Sequence, residues 1–146
     1  MELQWDDNYS VGVPQVDTQH KELFKLFNDL SNALSENHEF DNLQLFLSRL
    51  GAYVVFHFDS EEKIMEEYRY PFLKEHCEIH ERFKQDYSVL AKRFKGGSQV
   101  TMEGIRDTIW SWLLKHVIDE TVAVADQAFG RYVATLKAVE TYEGKN

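Results

Sequence analysis

The sequence predicts an all-α protein: an up-down-up-down four-helix bundle with an N-terminal arm and a short C-terminal helical tail. Three observations predict it. Apolar residues recur every three to four positions in four long stretches, the spacing of one helix face. Chain breakers are scarce, with 2 Pro and 7 Gly in 146 residues, which favours long helices over a many-turned β fold. The segments between the stretches are short, as between antiparallel neighbours in a bundle. This length suits about one domain, and 43% apolar residues supply its core.

Residues 1–16, MELQWDDNYSVGVPQV, carry apolar and aromatic residues without helical period. They read as an arm lying on the domain, with Trp5, Tyr9, Val11 and Val13 expected to be buried. The bundle is expected over about residues 17–120, and a C-terminal helix and tail over 121–146. Asp17 is placed to cap the first helix, which carries Leu23, Phe24, Leu26, Phe27, Leu30 and Leu34. After the break at SENHEF, Asp41 is the expected cap of a second helix through Leu43, Leu45, Phe46, Leu47, Leu50, Val54, Phe58, Ile64 and Met65. Pro71 suits the first position of a third helix, which runs through Phe72, Leu73, Cys77, His80, Phe83, Tyr87 and Leu90 to Gly96 and Gly97. A fourth begins near Thr101 and carries Ile105, Ile109, Trp112, Leu113, His116 and Val117.

Composition narrows the function. There are 16 Lys and Arg against 25 Asp and Glu, a net charge of −9, which opposes binding to nucleic acid or anionic membranes. No stretch approaches the roughly 18 apolar residues of a membrane span, and the N-terminus lacks the basic-then-apolar pattern of a signal peptide. The single cysteine, Cys77, excludes an intrachain disulfide and points to a reducing compartment. A cytoplasmic domain is the expectation.

Five of the six histidines fall where helix periodicity turns them inward: His20, His57, His76, His80 and His116. His38 lies in a polar connection and is expected to face solvent. His76 and His80 are four residues apart, Glu61 stands four after His57, and Glu120 stands four after His116. Residues at that spacing share one helix face about 6 Å apart, so each pair presents two ligands to one place. A lone buried histidine is ordinarily a hydrogen-bonded core residue. Five on four helices, together with carboxylates, need a compensating cation, because buried ionisable groups cost several kcal/mol each when unpaired. Such a set exceeds the four ligands of one tetrahedral zinc ion. It suits two metals sharing carboxylates, and mixed nitrogen and oxygen ligands favour iron, with manganese, cobalt and zinc open on geometry alone. Cys77 reads as a packing residue, since its side chain points about 100° from that of His76.

These residues resemble the hemerythrin family, and its bacterial members in particular. The matching pieces are Trp5 and YSVGV (9–13), VDTQHKELF, YVVFHFDSEEKIM, YPFLKEHCEIHERF and WLLKHV, in the family's order from residue 5 to about 120. The resemblance implies a non-haem di-iron centre with an oxo or hydroxo bridge that binds O2 reversibly, with small anions such as azide or chloride competing. His20 and His57 would hold the iron with an open position. His76, His80 and His116 would hold the other, with Glu61 bridging. The family's second bridging carboxylate follows the last histidine by five residues, and that position here is Thr121. Glu120 is the expected replacement and Asp119 the second choice. Leu23, Phe58, Trp112, Leu113 and Val117 are expected to line an O2 pocket. The functional expectation is O2 storage, delivery or buffering without catalysis. The alternatives are an O2- or redox-sensing domain of a signalling protein and a di-iron peroxidase or ferroxidase-like enzyme.

Overall fold

In the computed structural model the described residues are 2–36, 40–96, 102–118 and 126–144. Among them lie five helices and no strand: α1 (Pro14–Ser35), α2 (Phe40–Glu67), α3 (Leu73–Lys95), α4 (Met102–Leu113), continued by a π-turn at Leu114–Ile118, and α5 (Asp126–Glu143). The chain is a helical bundle, as its pattern predicts, and α1 packs on α2, α2 on α3 and α1 on α4.

Helix starts differ from expectation in instructive ways. The first helix begins at Pro14, one turn before Asp17, because proline's fixed φ and missing N–H suit the first turn. Asp17 is therefore not its cap. Its carboxylate instead accepts from the Val11 N–H at 2.8 Å and the Ser10 hydroxyl at 2.5 Å, pinning the arm. Gly12 between them takes φ +74°, a left-handed conformation that suits glycine. The second helix starts at Phe40, so Asp41 stands inside it rather than capping it. Pro71 lies in the turn after Tyr70, and the third helix starts at Leu73, because Arg69 takes φ 52° and the chain turns there before helix can resume. Lys92, Arg93 and Lys95 fill the last turn of α3 and complement its dipole, and Gly96 follows as expected. His38, Gly97, Thr101, Asp119, Glu120 and Thr121 lie outside the described residues.

The core falls into two apolar clusters. The larger includes Leu23, Phe24, Phe27, Val54, Phe58, Phe83, Leu113 and Val117, with Trp5 and Tyr9 of the arm packed against it. The smaller joins Val11, Val13 and Val16 to Ile64, Met65, Tyr70, Phe129 and Val133. Along α1, His20 falls between Val16 of one cluster and Leu23 of the other. Along α2, Glu61 falls between Phe58 and Ile64. A polar layer thus crosses the bundle between two apolar ones, and every group in it must find its partner within that layer.

Candidate metal centre

Helix geometry brings five imidazoles into that layer. His20 comes from α1, His57 from α2, His76 and His80 from one face of α3, and His116 from the π-turn that ends α4. A π-turn widens the helix by one residue and is a common device at functional sites. The side chains of His20, His57, His76 and His80 are fully buried, and His116 is 4% exposed. Glu61, one turn after His57, is also fully buried.

Among the described residues a second buried carboxylate joins the layer, and it is Asp126, the first residue of α5. Sequence reasoning missed it by looking within five residues of His116, whereas Asp126 follows by ten. A signal existed. Asp126, Phe129, Gly130 and Val133 have the i, i+3, i+4, i+7 spacing of a buried stripe, which places the aspartate on the apolar face of its helix.

The two carboxylates divide their oxygens between two groups of histidines. Glu61 Oε2 lies 3.3 Å from His57 Nε2 and 3.6 Å from His20 Nε2. Its Oε1 lies 2.8 Å from His76 Nε2, 3.3 Å from His80 Nε2 and 3.8 Å from His116 Nε2. Asp126 repeats the division, with Oδ2 2.9 Å from His20 Nε2 and Oδ1 3.0 Å from Nε2 of both His76 and His116. Two ligand sets result, His20, His57, Glu61 and Asp126 on one side and Glu61, His76, His80, His116 and Asp126 on the other. Within each set the ligand atoms lie within 4.8 Å of one another.

These close approaches are mostly not hydrogen bonds. His20 Nε2, His57 Nε2, Glu61 Oε2 and both oxygens of Asp126 are buried without a hydrogen-bond partner, although each is near an opposite group. They crowd into the same two ligand sets without pairing off as donor and acceptor. An unsatisfied buried polar atom costs about 1–3 kcal/mol, so five converging ones fit a cation and no ordinary core. The donor set fits two metal ions.

The outer ring nitrogens fix two imidazoles. His57 Nδ1 lies 2.8 Å from Gln19 Oε1, an amide oxygen that only accepts, so Nδ1 carries the proton and Nε2 turns its lone pair inward. Gln19 is held in turn by its amide donating to Ser60 Oγ at 2.9 Å. His80 Nδ1 donates likewise to Glu62 Oε1 at 2.8 Å. Cys77 belongs to neither ligand set, and burial with Glu62 beside it pushes its thiol up to about 11.

Electrostatics of the metal-free layer follow from the same contacts. Burial alone would lower the histidines, as it does His57. At His20 and His76 burial is outweighed by the adjoining carboxylates of Asp126 and Glu61, which raise them to about 9 and about 10. Burial would raise the carboxylates, but the surrounding imidazoles hold Glu61 and Asp126 below their usual range. At pH 7 the metal-free protein therefore keeps protons on His20 and His76 that a metal must expel. Metal uptake at pH 7 should release protons, and apparent affinity should rise with pH up to about 10, where His76 gives up its proton. Calorimetric titration in buffers of different ionisation enthalpy measures the release. Uptake without it would remove these imidazoles from the ligand set.

The proposed pocket residues divide. Phe58 stacks on the His80 ring, with centroids 3.8 Å apart and planes 8° apart, and Trp112 stacks on His116 at 4.7 Å. Leu23, Leu113 and Val117 are buried members of the larger apolar cluster.

The chain matches the model of the hemerythrin HHE cation-binding domain over residues 11–125, ending one residue before Asp126. It is 30% identical over 125 residues to a bacteriohemerythrin of Stenotrophomonas maltophilia (strain R551-3), covering 86% of this chain and 80% of that protein. A hemerythrin-like protein of Naegleria gruberi is 30% identical over 113 residues, covering 77% of this chain and 82% of its own. A crystal structure of wild-type hemerythrin superposes with a TM-score of 0.78 at 25% identity, covering 88% of this chain and 95% of that one. Among the described residues, no helix is long and apolar enough to cross a membrane.

Proposed function

The chain belongs to the hemerythrin HHE cation-binding domain family, and on that premise we propose that its buried layer holds two iron ions and binds O2 reversibly, for storage, delivery or buffering. The division of each carboxylate between two histidine groups carries this reading. Counted by atoms, His76, His80, His116, Glu61 Oε1 and Asp126 Oδ1 give five protein ligands to one ion, and His20, His57, Glu61 Oε2 and Asp126 Oδ2 give four to the other. The His20 and His57 side has one protein ligand fewer, so a small exogenous ligand would enter there. Iron held by these residues would supply the reversible electron transfer that O2 binding needs.

The protein's own groups set the limits of that chemistry. Five neutral imidazoles and two carboxylates offset two dications with only two negative charges, which disfavours oxidation states above ferric. Gln19 and Glu62 hold His57 and His80 in the tautomer that ligation needs. Phe58 and Trp112 cover His80 and His116 with aromatic faces and keep water from them.

The test is an oxygenation cycle. Iron-loaded protein, reduced without air, should gain a visible charge-transfer band under O2 and lose it when O2 is removed, over repeated cycles, with two irons per chain by elemental analysis (a count expected from the two ligand sets). A single irreversible conversion with turnover of peroxide would favour the enzymatic alternative. Protein that takes up no transition metal would end both.

A further inference from the structure

Asp126 is the only member of the two ligand sets that comes from α5, so the seating of that helix decides whether its carboxylate reaches. Farther along, Tyr132 and Phe129 hold the helix against Tyr68 and Tyr70, while two contacts seat its first turns, beside Asp126. Gln127 donates its amide to the Tyr9 carbonyl of the arm at 2.8 Å and lies 3.5 Å from the Val117 carbonyl at the π-turn. Gly130, one turn beyond Asp126 on the same face, is buried against the arm. A Cβ there would stand 2.7 Å from the Val11 carbonyl oxygen and 2.9 Å from Val11 Cα, both backbone atoms. The Val11 backbone cannot readily yield, since Asp17 holds its N–H. Glycine is the poorest helix former after proline, so its place inside α5 calls for a reason, and close approach supplies one.

We propose that Gly130 and Gln127 are positioning residues for the metal centre: contact of α5 with the arm at Val11 and Tyr9 sets how far Asp126 reaches between the histidines. The inference rests on the reading of Asp126 as a metal ligand. It also gives the N-terminal arm a function, since the arm is the surface that α5 is measured against.

The experiment uses the full metal-free chain and Co(II), whose visible bands report its coordination. Wild type should take up Co(II), and Gly130→Ala should bind it about 10–100-fold more weakly with altered bands, the scale of losses at groups that orient ligands. Asp126→Glu, longer by one methylene, should weaken binding in the wild-type background yet restore about tenfold of it in Gly130→Ala, where the helix stands further off. A purely structural glycine would lower thermal stability without this reciprocal rescue. Gly130→Ala with wild-type affinity and bands, or weakened binding that Asp126→Glu does not improve, overturns the proposal. Should Gly130→Ala fail to fold, Gln127→Met, which keeps length but loses the amide donor, takes its place with the same expected weakening and rescue, and unchanged binding there overturns it equally. Wild type that binds no Co(II) overturns the underlying reading of the site itself.

Discussion

Asp126→Ala should leave the protein unable to hold two metals, with affinity lowered by more than roughly 100-fold, beyond the loss expected from groups that merely orient ligands. Asp126 gives one oxygen to each side of the site, so its removal takes a ligand from both sets at once. It also takes away a charge that holds His20 near 9 and His76 near 10 in the metal-free protein. Both should fall toward the ordinary histidine range of about 6.5, which NMR titration of the imidazoles would follow. Asp126→Asn keeps the shape and one neutral oxygen, so it should retain more metal than Asp126→Ala but lose the charge effect equally. Glu120→Gln is the matching comparison, because sequence spacing favours Glu120 for this role. With Asp126 closing both sets, Glu120→Gln should leave iron content and visible spectrum unchanged. Iron lost at Glu120→Gln and kept at Asp126→Ala would reassign the carboxylate.

Much of this site is written in local periodicity, and the part that is not depends on the path of the chain between helices. His76 and His80, or His57 and Glu61, declare themselves because four residues is one helical turn wherever the helix lies. The inward faces of α1 to α4 follow from the same rule, and Leu23, Phe58, Leu113 and Val117 are buried as their spacing predicts. Asp126 has no such fixed relation to His116, since they sit on different helical elements separated by residues 119–125. Spacing along one helix cannot report where the next one docks. The misplacement of Asp17 has a related cause. A carboxylate near a helix start suits a cap by propensity, but here it serves a tertiary bond to Ser10 and Val11 that only the folded arm presents. Gly130 was likewise invisible as a contact, because its neighbour Val11 lies over a hundred residues away.

Phe58→Ala should combine the largest stability loss with a functional one. The ring is fully buried and touches the centre and the core at once: it stacks on His80 at 3.8 Å and meets Phe83, Trp112 and His116 edge-on at 5.8, 5.3 and 5.9 Å. Truncating such a ring costs about 3–5 kcal/mol through lost burial and the cavity left behind. For a domain of this size that lowers the melting temperature by roughly 10–15 °C. Phe56, two residues earlier and 55% exposed, provides the contrast, since Phe56→Ala should stay within about 0.5 kcal/mol. The cavity at Phe58 would adjoin polar imidazoles, so unlike a purely apolar void it should admit water. Oxygenated protein should then oxidise irreversibly many times faster than wild type, measured by decay of the visible band in air. Phe58→Leu separates the two effects. It sacrifices the aromatic stack and some volume but keeps an apolar wall, so it should lose stability while oxidising at close to the wild-type rate. If Phe58→Leu instead oxidised as fast as Phe58→Ala, the ring's stacking on His80 would be what matters, and exclusion of water would not be its role.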